Sequence, residues 1–258
     1  MKVLAAYSLK GGVGKTAAAV SLAYLAARDG TPTLVWDLDP QGAATYSFRT
    51  RPRVKGGIRA LVVGKRDLED VIKGTDYPSL DLVPADFSNR YMDLVFDAVK
   101  KPVRRVRRAL REVGDEYDWV ILDCPPGISL VSEIVVGISD VLLVPVIPTT
   151  LSLRMLDQLG TLTDGAGPTD PLILPFFSMV DRRKRLHREV VQNLPAEHPE
   201  LLRTVIPSST DVEKMSVRRE PVVAYARRSV ATTAYTELWT EIQSRVDAAW
   251  RGVDGIEA

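Results

Sequence analysis

The stretch Lys10-Gly11-Gly12-Val13-Gly14-Lys15-Thr16 leaves a chain few ways to fold. The apolar run 3–7 leads into it, and the Ala/Leu-rich segment 17–28, which stops near Gly30, leads out. The order is therefore strand, glycine loop, helix. Glycines let successive backbone N–H groups converge on one point, and the helix start behind them adds partial positive charge. Such a loop is a cradle for phosphate oxygens. In it Lys15 reaches the β- and γ-phosphates of a nucleoside triphosphate, and Thr16 sets its hydroxyl on Mg²⁺. The strict phosphate-loop pattern opens with a glycine; this chain has Leu9 there, followed by a second lysine, Lys10.

Short apolar runs alternate with segments of helical period along the rest of the chain. That is how a parallel sheet covered by helices reads. Strands are predicted at 33–36, 80–83, 119–122, 141–147, 172–179 and 204–206. Helices are predicted at 58–63, 68–72, 90–99, 103–113, 151–162, 186–194 and 232–250. The expected architecture is one doubly wound, mainly parallel α/β domain over residues 1–258, with a disordered tail from about 251. Lys+Arg number 34 against 33 Asp+Glu, a net charge of +1, so any contact with nucleic acid must come from local patches and not from bulk charge. The single cysteine, Cys124, forms no internal disulfide and no thiolate cluster. No uncharged run reaches the eighteen or so residues of a membrane span, and the expected setting is the cytoplasm.

Three acids fall at predicted strand ends. Asp37 and Asp39 close the second strand two residues apart, so strand alternation aims both the same way. Asp123 closes the apolar run 119–122. In a parallel α/β sheet the carboxyl ends of the strands carry the site. Mg²⁺ keeps much of its water and takes few protein carboxylates, which suits isolated acids there. Pro125-Pro126-Gly127 makes a stiff turn beyond Asp123 that could respond to a γ-phosphate.

The loop with its extra lysine, the segment Asp37-Leu38-Asp39-Pro40-Gln41-Gly42 and the apolar run ending in Asp123 resemble the deviant Walker A ATPases. That family includes the ParA/Soj partition proteins and MinD, and the resemblance covers about residues 2–245. It implies a P-loop NTPase fold, the cofactors ATP and Mg²⁺, and hydrolysis of ATP to ADP and phosphate. It implies a homodimer closed over two ATPs, in which Lys10 touches the nucleotide held by the other subunit. On the same resemblance Gly11 to Ala17 hold the nucleotide (Gly11, Gly12, Val13, Gly14, Lys15, Thr16, Ala17). Asp39 activates the attacking water, and Thr16, Asp37 and Asp123 serve the metal. The segment 177–183 puts Met179 at the base, and 204–207 puts Pro207 there.

In ParA/Soj proteins basic residues of the C-terminal region bind double-stranded DNA without sequence preference. The match falls on Arg183. A second position falls on Asp211, with Lys214, Arg218 and Arg219 nearby to compensate. The implied partners are nucleoid DNA and a ParB-like or cargo-adaptor protein that stimulates hydrolysis; the implied location is cytoplasmic and nucleoid-associated. The alternative is a MinD-like membrane-cycling ATPase, against which the mildly acidic tail speaks. A third reading, a metabolic kinase of the dethiobiotin synthetase type, is opposed by Lys10 and by 39–42. A further basic stretch, Lys100, Lys101, Arg104, Arg105, Arg107, Arg108 and Arg111, is expected to wrap most of a helix.

Overall fold

The computed structural model describes residues 1–54, 56–149 and 170–254. Eight strands form one sheet: β1 (Lys2–Ala6), β2 (Thr33–Asp37), β3 (Lys73–Gly74), β4 (Leu80–Val83), β5 (Trp119–Asp123), β6 (Val141–Val146), β7 (Leu172–Val180) and β8 (Val205–Pro207). Their spatial order is β3-β4-β2-β5-β1-β6-β7-β8. Every pairing is parallel except that of the two-residue β3 with β4.

The central strands read as continuous apolar runs because both faces of the sheet are covered, and alternate residues serve opposite faces. Val3, Ala5, Leu34, Trp36, Val120 and Leu122 enter one apolar cluster, while Leu4, Ala6, Val35, Ile121 and Leu143 enter the other. The first cluster is closed by α3 (Gly57–Val62), α4 (Met92–Asp97), α5 (Pro102–Glu112), α6 (Leu130–Ile138) and α7 (Arg185–Asn193). The second is closed by α1 (Lys15–Arg28), α2 (Ala43–Ser47), α10 (Val222–Tyr225) and α11 (Val230–Asp254), with the short α8 (Thr210–Glu213) and α9 (Met215–Arg218) at its edge. Each fully buried leucine or valine of these layers contributes about 1.5–3 kcal/mol. Ten of the fourteen residues of α1 are buried, which explains its alanines: they let it lie close between the sheet and α11.

From β1 the chain leaves through α1 on one face, and from the adjacent β5 it leaves through α6 on the other. The two connections diverge at the carboxyl ends of β1 and β5, which opens a crevice there.

Several elements differ from the sequence expectation. The predicted helix 90–99 is a 3₁₀ turn, Phe87–Tyr91, followed by α4. Of 68–72 only the 3₁₀ turn Glu69–Val71 forms. Helices α2 and α6 were not anticipated. Of the tail expected to be disordered from about 251, residues 251–254 continue α11, and 255–258 lie outside the described residues. The predicted helix 151–162 lies outside the described residues.

Candidate nucleotide site

The loop after β1 and the turn after β5 are bonded to each other. Tyr7 Oη donates to the Gly127 carbonyl at 3.1 Å, and the Gly127 N–H donates to the Ser8 carbonyl at 3.2 Å. The Lys10 N–H is held by Ser8 Oγ at 3.2 Å. Two loop glycines are needed for conformation: Gly12 has φ +72° and Gly14 has φ +95°, and a Cβ on Gly14 would stand 2.8 Å from Ser178 Oγ. Lys15 opens α1 and is buried, 6% exposed as a residue, where it lines the space above the loop.

Asp37 and Asp123 stand opposite each other in the β2–β5 register, and both are fully buried. Asp37 Oδ2 accepts from the N–H and the hydroxyl of Thr45, each at 2.7 Å. Its Oδ1 has no partner, nor has either oxygen of Asp123. Burial raises the Asp37 carboxyl to about 6, the Thr45 bonds opposing it. Burial first, and the Asp37 charge second, push Asp123 well above the ordinary carboxylate range, with the Thr16 hydroxyl and the Lys15 ammonium pulling back. Three orphaned carboxylate oxygens in the interior cost about 1–3 kcal/mol each. They are accounted for if a hard cation or its water shell answers them, and oxygen donors of this kind fit Mg²⁺. Thr16, Asp37 and Asp123 are the residues that would hold it.

Beyond the acids lies a cavity of about 390 Å³. It is lined by Gly11, Gly12, Gly14, Lys15, Thr16, Ala17 and Asp39 on one side and by Met179 and Pro207 on the other. The residues expected around the phosphates and those expected at the base thus share one space. Asp39 is half-buried on its wall, with Oδ1 accepting the Gln41 N–H at 2.9 Å. Met179 sits where the β7–β8 register shifts, at φ +54° and 40% exposed, a strained bulge residue turned out of the strand. Lys10 and Val13 are not part of the lining: Lys10 is exposed, and Val13 is buried.

Sequence reasoning missed Thr45, which orients Asp37, and Ser178, Ser208, Ser209 and Tyr235, which line the cavity. For Ser209 a signal existed: it precedes an acidic first turn, and its Oγ caps α8 through the Asp211 N–H. Thr45 carries none, since its role depends on a contact eight residues back.

The four basic residues expected to meet DNA lie at the surface in different circumstances. Arg183 is 91% exposed at the side chain but grips Asp181 with two bonds of 2.9 Å. Lys214 is 3.7 Å from Asp211. Arg219 stacks on the Tyr46 ring at 4.4 Å and donates to the Tyr46 carbonyl. Arg218 is exposed, and its side chain makes no ion pair or hydrogen bond among the described residues. On α5 the cations do not wrap the helix as expected: they share its solvent side, with Val106 and Leu110 buried opposite.

A mostly parallel sheet with this loop at its switch point and acids on the neighbouring strand ends defines a P-loop ATPase fold of the deviant Walker A type. The AAA domain family matches residues 1–166. The chain is 30% identical over 249 residues to the sporulation initiation inhibitor protein Soj of Bacillus subtilis, covering 93% of this chain and 98% of Soj. It is 28% identical over 255 residues to the chromosome partitioning protein ParA of Caulobacter vibrioides, covering 95% of each. Among solved structures, an ATP complex of a McdA variant from Cyanothece superposes with a TM-score of 0.80 at 18% identity, over 94% of this chain and 96% of that one. The chain belongs to the ParA/Soj-type ATPases of the ParA/MinD P-loop family.

Proposed function

We propose that this chain hydrolyses ATP with Mg²⁺ as a ParA-like dimer, binds DNA without sequence preference in its ATP state, and so segregates or positions DNA or another cargo. The observation that carries the reading is the set of three unpartnered carboxylate oxygens on Asp37 and Asp123, buried beside Lys15 under a glycine cradle. Bound Mg-ATP supplies an activated γ-phosphoryl group. Backbone N–H groups of 11–16 and the Lys15 ammonium neutralise its oxygens. Asp39, on the cavity wall with one oxygen engaged by Gln41, orients and deprotonates the attacking water. The exposed Lys10 crosses to the other subunit's nucleotide, so that hydrolysis depends on assembly. A cation added to a phosphoryl-transfer site in this way raises the rate about 10³–10⁵-fold.

Release of the dimer after hydrolysis, hastened by a ParB-like or adaptor protein, completes the cycle in the cytoplasm on the nucleoid. Among the described residues no helix is long and apolar enough to cross a membrane. Of the cations proposed for DNA, Arg218 is the most available, whereas Arg183 must exchange Asp181 for a phosphate.

The test is anisotropy of a labelled random-sequence duplex with ATP-Mg, with ADP-Mg and without nucleotide. Binding is expected only with ATP, and its log–log salt slope should be about −0.9 per phosphate contacted. Equal binding in all three states, or none in any, overturns the reading.

A further inference from the structure

A dense concentration of positive charge lies away from the nucleotide cavity, in a cleft of about 630 Å³ between the end of α3 and the length of α5. Of its fourteen lining residues seven are cationic and two, Asp67 and Glu112, are acidic. In a chain of net charge +1 this is a local excess and not a reflection of composition. Arg104, Arg108 and Arg111 follow one another at helical spacing along α5, Lys100 and Lys101 stand at its head, and Arg66 faces them from beyond α3.

The cleft is braced. Arg105 donates from Nη1 to the Val62 carbonyl at 3.4 Å and from Nε to the Lys100 carbonyl at 3.3 Å, tying the start of α5 to the end of α3. Lys101, at the N-terminal boundary of α5, has φ +55°, a conformation a lysine adopts at a cost of about 1–2 kcal/mol. Local carboxylates answer little of the charge: Arg108 meets Glu112 at 3.5 Å and Arg66 meets Asp70 at 3.4 Å, both solvent-screened pairs of small worth. The floor is aliphatic: the half-buried Val63 and Ala109 present it, over Leu61 and Val62, which are buried in the core beneath.

Walls and floor together select the ligand. A duplex is a rod too thick to enter a cleft one helix long, and its phosphates offer nothing to an aliphatic floor. Carboxylates on flexible side chains can enter such a cleft, and arginine forks bind them in two-point fashion. Apolar side chains placed between those carboxylates would cover the floor. We propose that the cleft between α3 and α5 docks an acidic segment of a partner protein, a run of Asp and Glu interrupted by apolar residues. The site is separate from the nucleotide cavity, with which it shares no lining residue.

The test uses the full chain and a fluorescein-labelled peptide of Glu-Glu-Leu repeats, followed by anisotropy at low salt. Saturable binding is expected, weakened about tenfold or more by the double substitution Arg104→Ser with Arg108→Ser, as befits loss of charges complementary to the ligand. Both positions are exposed, so the fold should survive, which a thermal melt checks. Ala109→Glu, which puts a like charge on the floor, should weaken the same peptide independently. A Glu-Glu-Ser peptide should bind less tightly than the leucine one. Absence of peptide binding, or binding indifferent to these substitutions, refutes the proposal. So does the outcome in which the substitutions weaken a random DNA duplex and leave the peptide untouched.

Discussion

Gly14 holds φ +95° with Ser178 Oγ 2.8 Å from the place a Cβ would take, so two separate penalties guard one position. The left-handed backbone alone costs an L-residue about 1–2 kcal/mol, and the clash adds to it. Gly14→Ala should therefore lower the free energy of unfolding by about 2–3 kcal/mol in a urea titration. Adding Ser178→Gly should return only the part due to the clash; full recovery would mean that the backbone carries no strain. Thr45 is a second case of a residue with two duties. Its hydroxyl donates to Asp37 and accepts the Ala85 N–H at 2.8 Å. Thr45→Val strands that buried N–H and should cost about 1–3 kcal/mol, while Thr45→Ser, which keeps the hydroxyl, should cost less than about 1. The glycine was legible in the sequence because the loop pattern demands it. Ser178 and Thr45 were not, because each acts on a residue that only the fold brings near.

At the scale of elements, legibility followed periodicity. Strands buried on both faces and the long α1 and α11 stood out, with ends off by one or two residues except at the C-terminus of α11, which runs four residues further. Residues 87–97 did not, since a 3₁₀ turn capped by Asp86 changes the period partway along. Helix α6 hid for another reason: Leu130–Ile138 is apolar nearly all round, so no stripe marks it, and its start depends on a reciprocal Ser129–Ser132 cap. Helix α7 carries an expectation of its own. His187 is buried, and its Nδ1 accepts the Asp181 N–H at 3.1 Å, fixing the turn that holds Arg183. Burial first, and the Lys184 charge second, lower the His187 pKa below its ordinary 6.5. The folded protein thus prefers the neutral ring. That stability is complete above the unfolded pKa of about 6.5 and drains away as pH falls through the lower folded value. Asp37 and Asp123, whose burial raises their pKa values, act in the opposite sense and favour the folded state as pH falls, so the His187 contribution is read as a difference between two proteins. Going from pH 8 to pH 5, the denaturation midpoint of His187→Asn, which keeps an acceptor but cannot take a proton there, should rise relative to that of the unsubstituted chain, and parallel profiles would assign no titration to this ring.

For the whole molecule the decisive matter is whether one active site needs two chains. Lys10 is exposed and outside the lining of its own cavity, whereas Asp39 belongs to that lining. In the proposed dimer each site is therefore composite, taking Asp39 from the chain that holds the nucleotide and Lys10 from the other. Lys10→Ala and Asp39→Ala should each abolish hydrolysis when pure, and their mixture should not. In a mixed dimer the chain lacking Lys10 still has its Asp39, and its partner, lacking Asp39, still lends a Lys10. One of the two sites is whole. With equal amounts and free exchange, half the dimers are mixed and each has one working site, so phosphate release should recover to about one quarter of the wild-type rate, as two-fold symmetry requires. A lysine acting on its own chain's nucleotide yields two broken sites in every dimer and no recovery at any ratio. Because both substitutions lie at the surface or on a cavity wall, neither removes buried packing, and a null result with folded proteins speaks directly against the crossed arrangement.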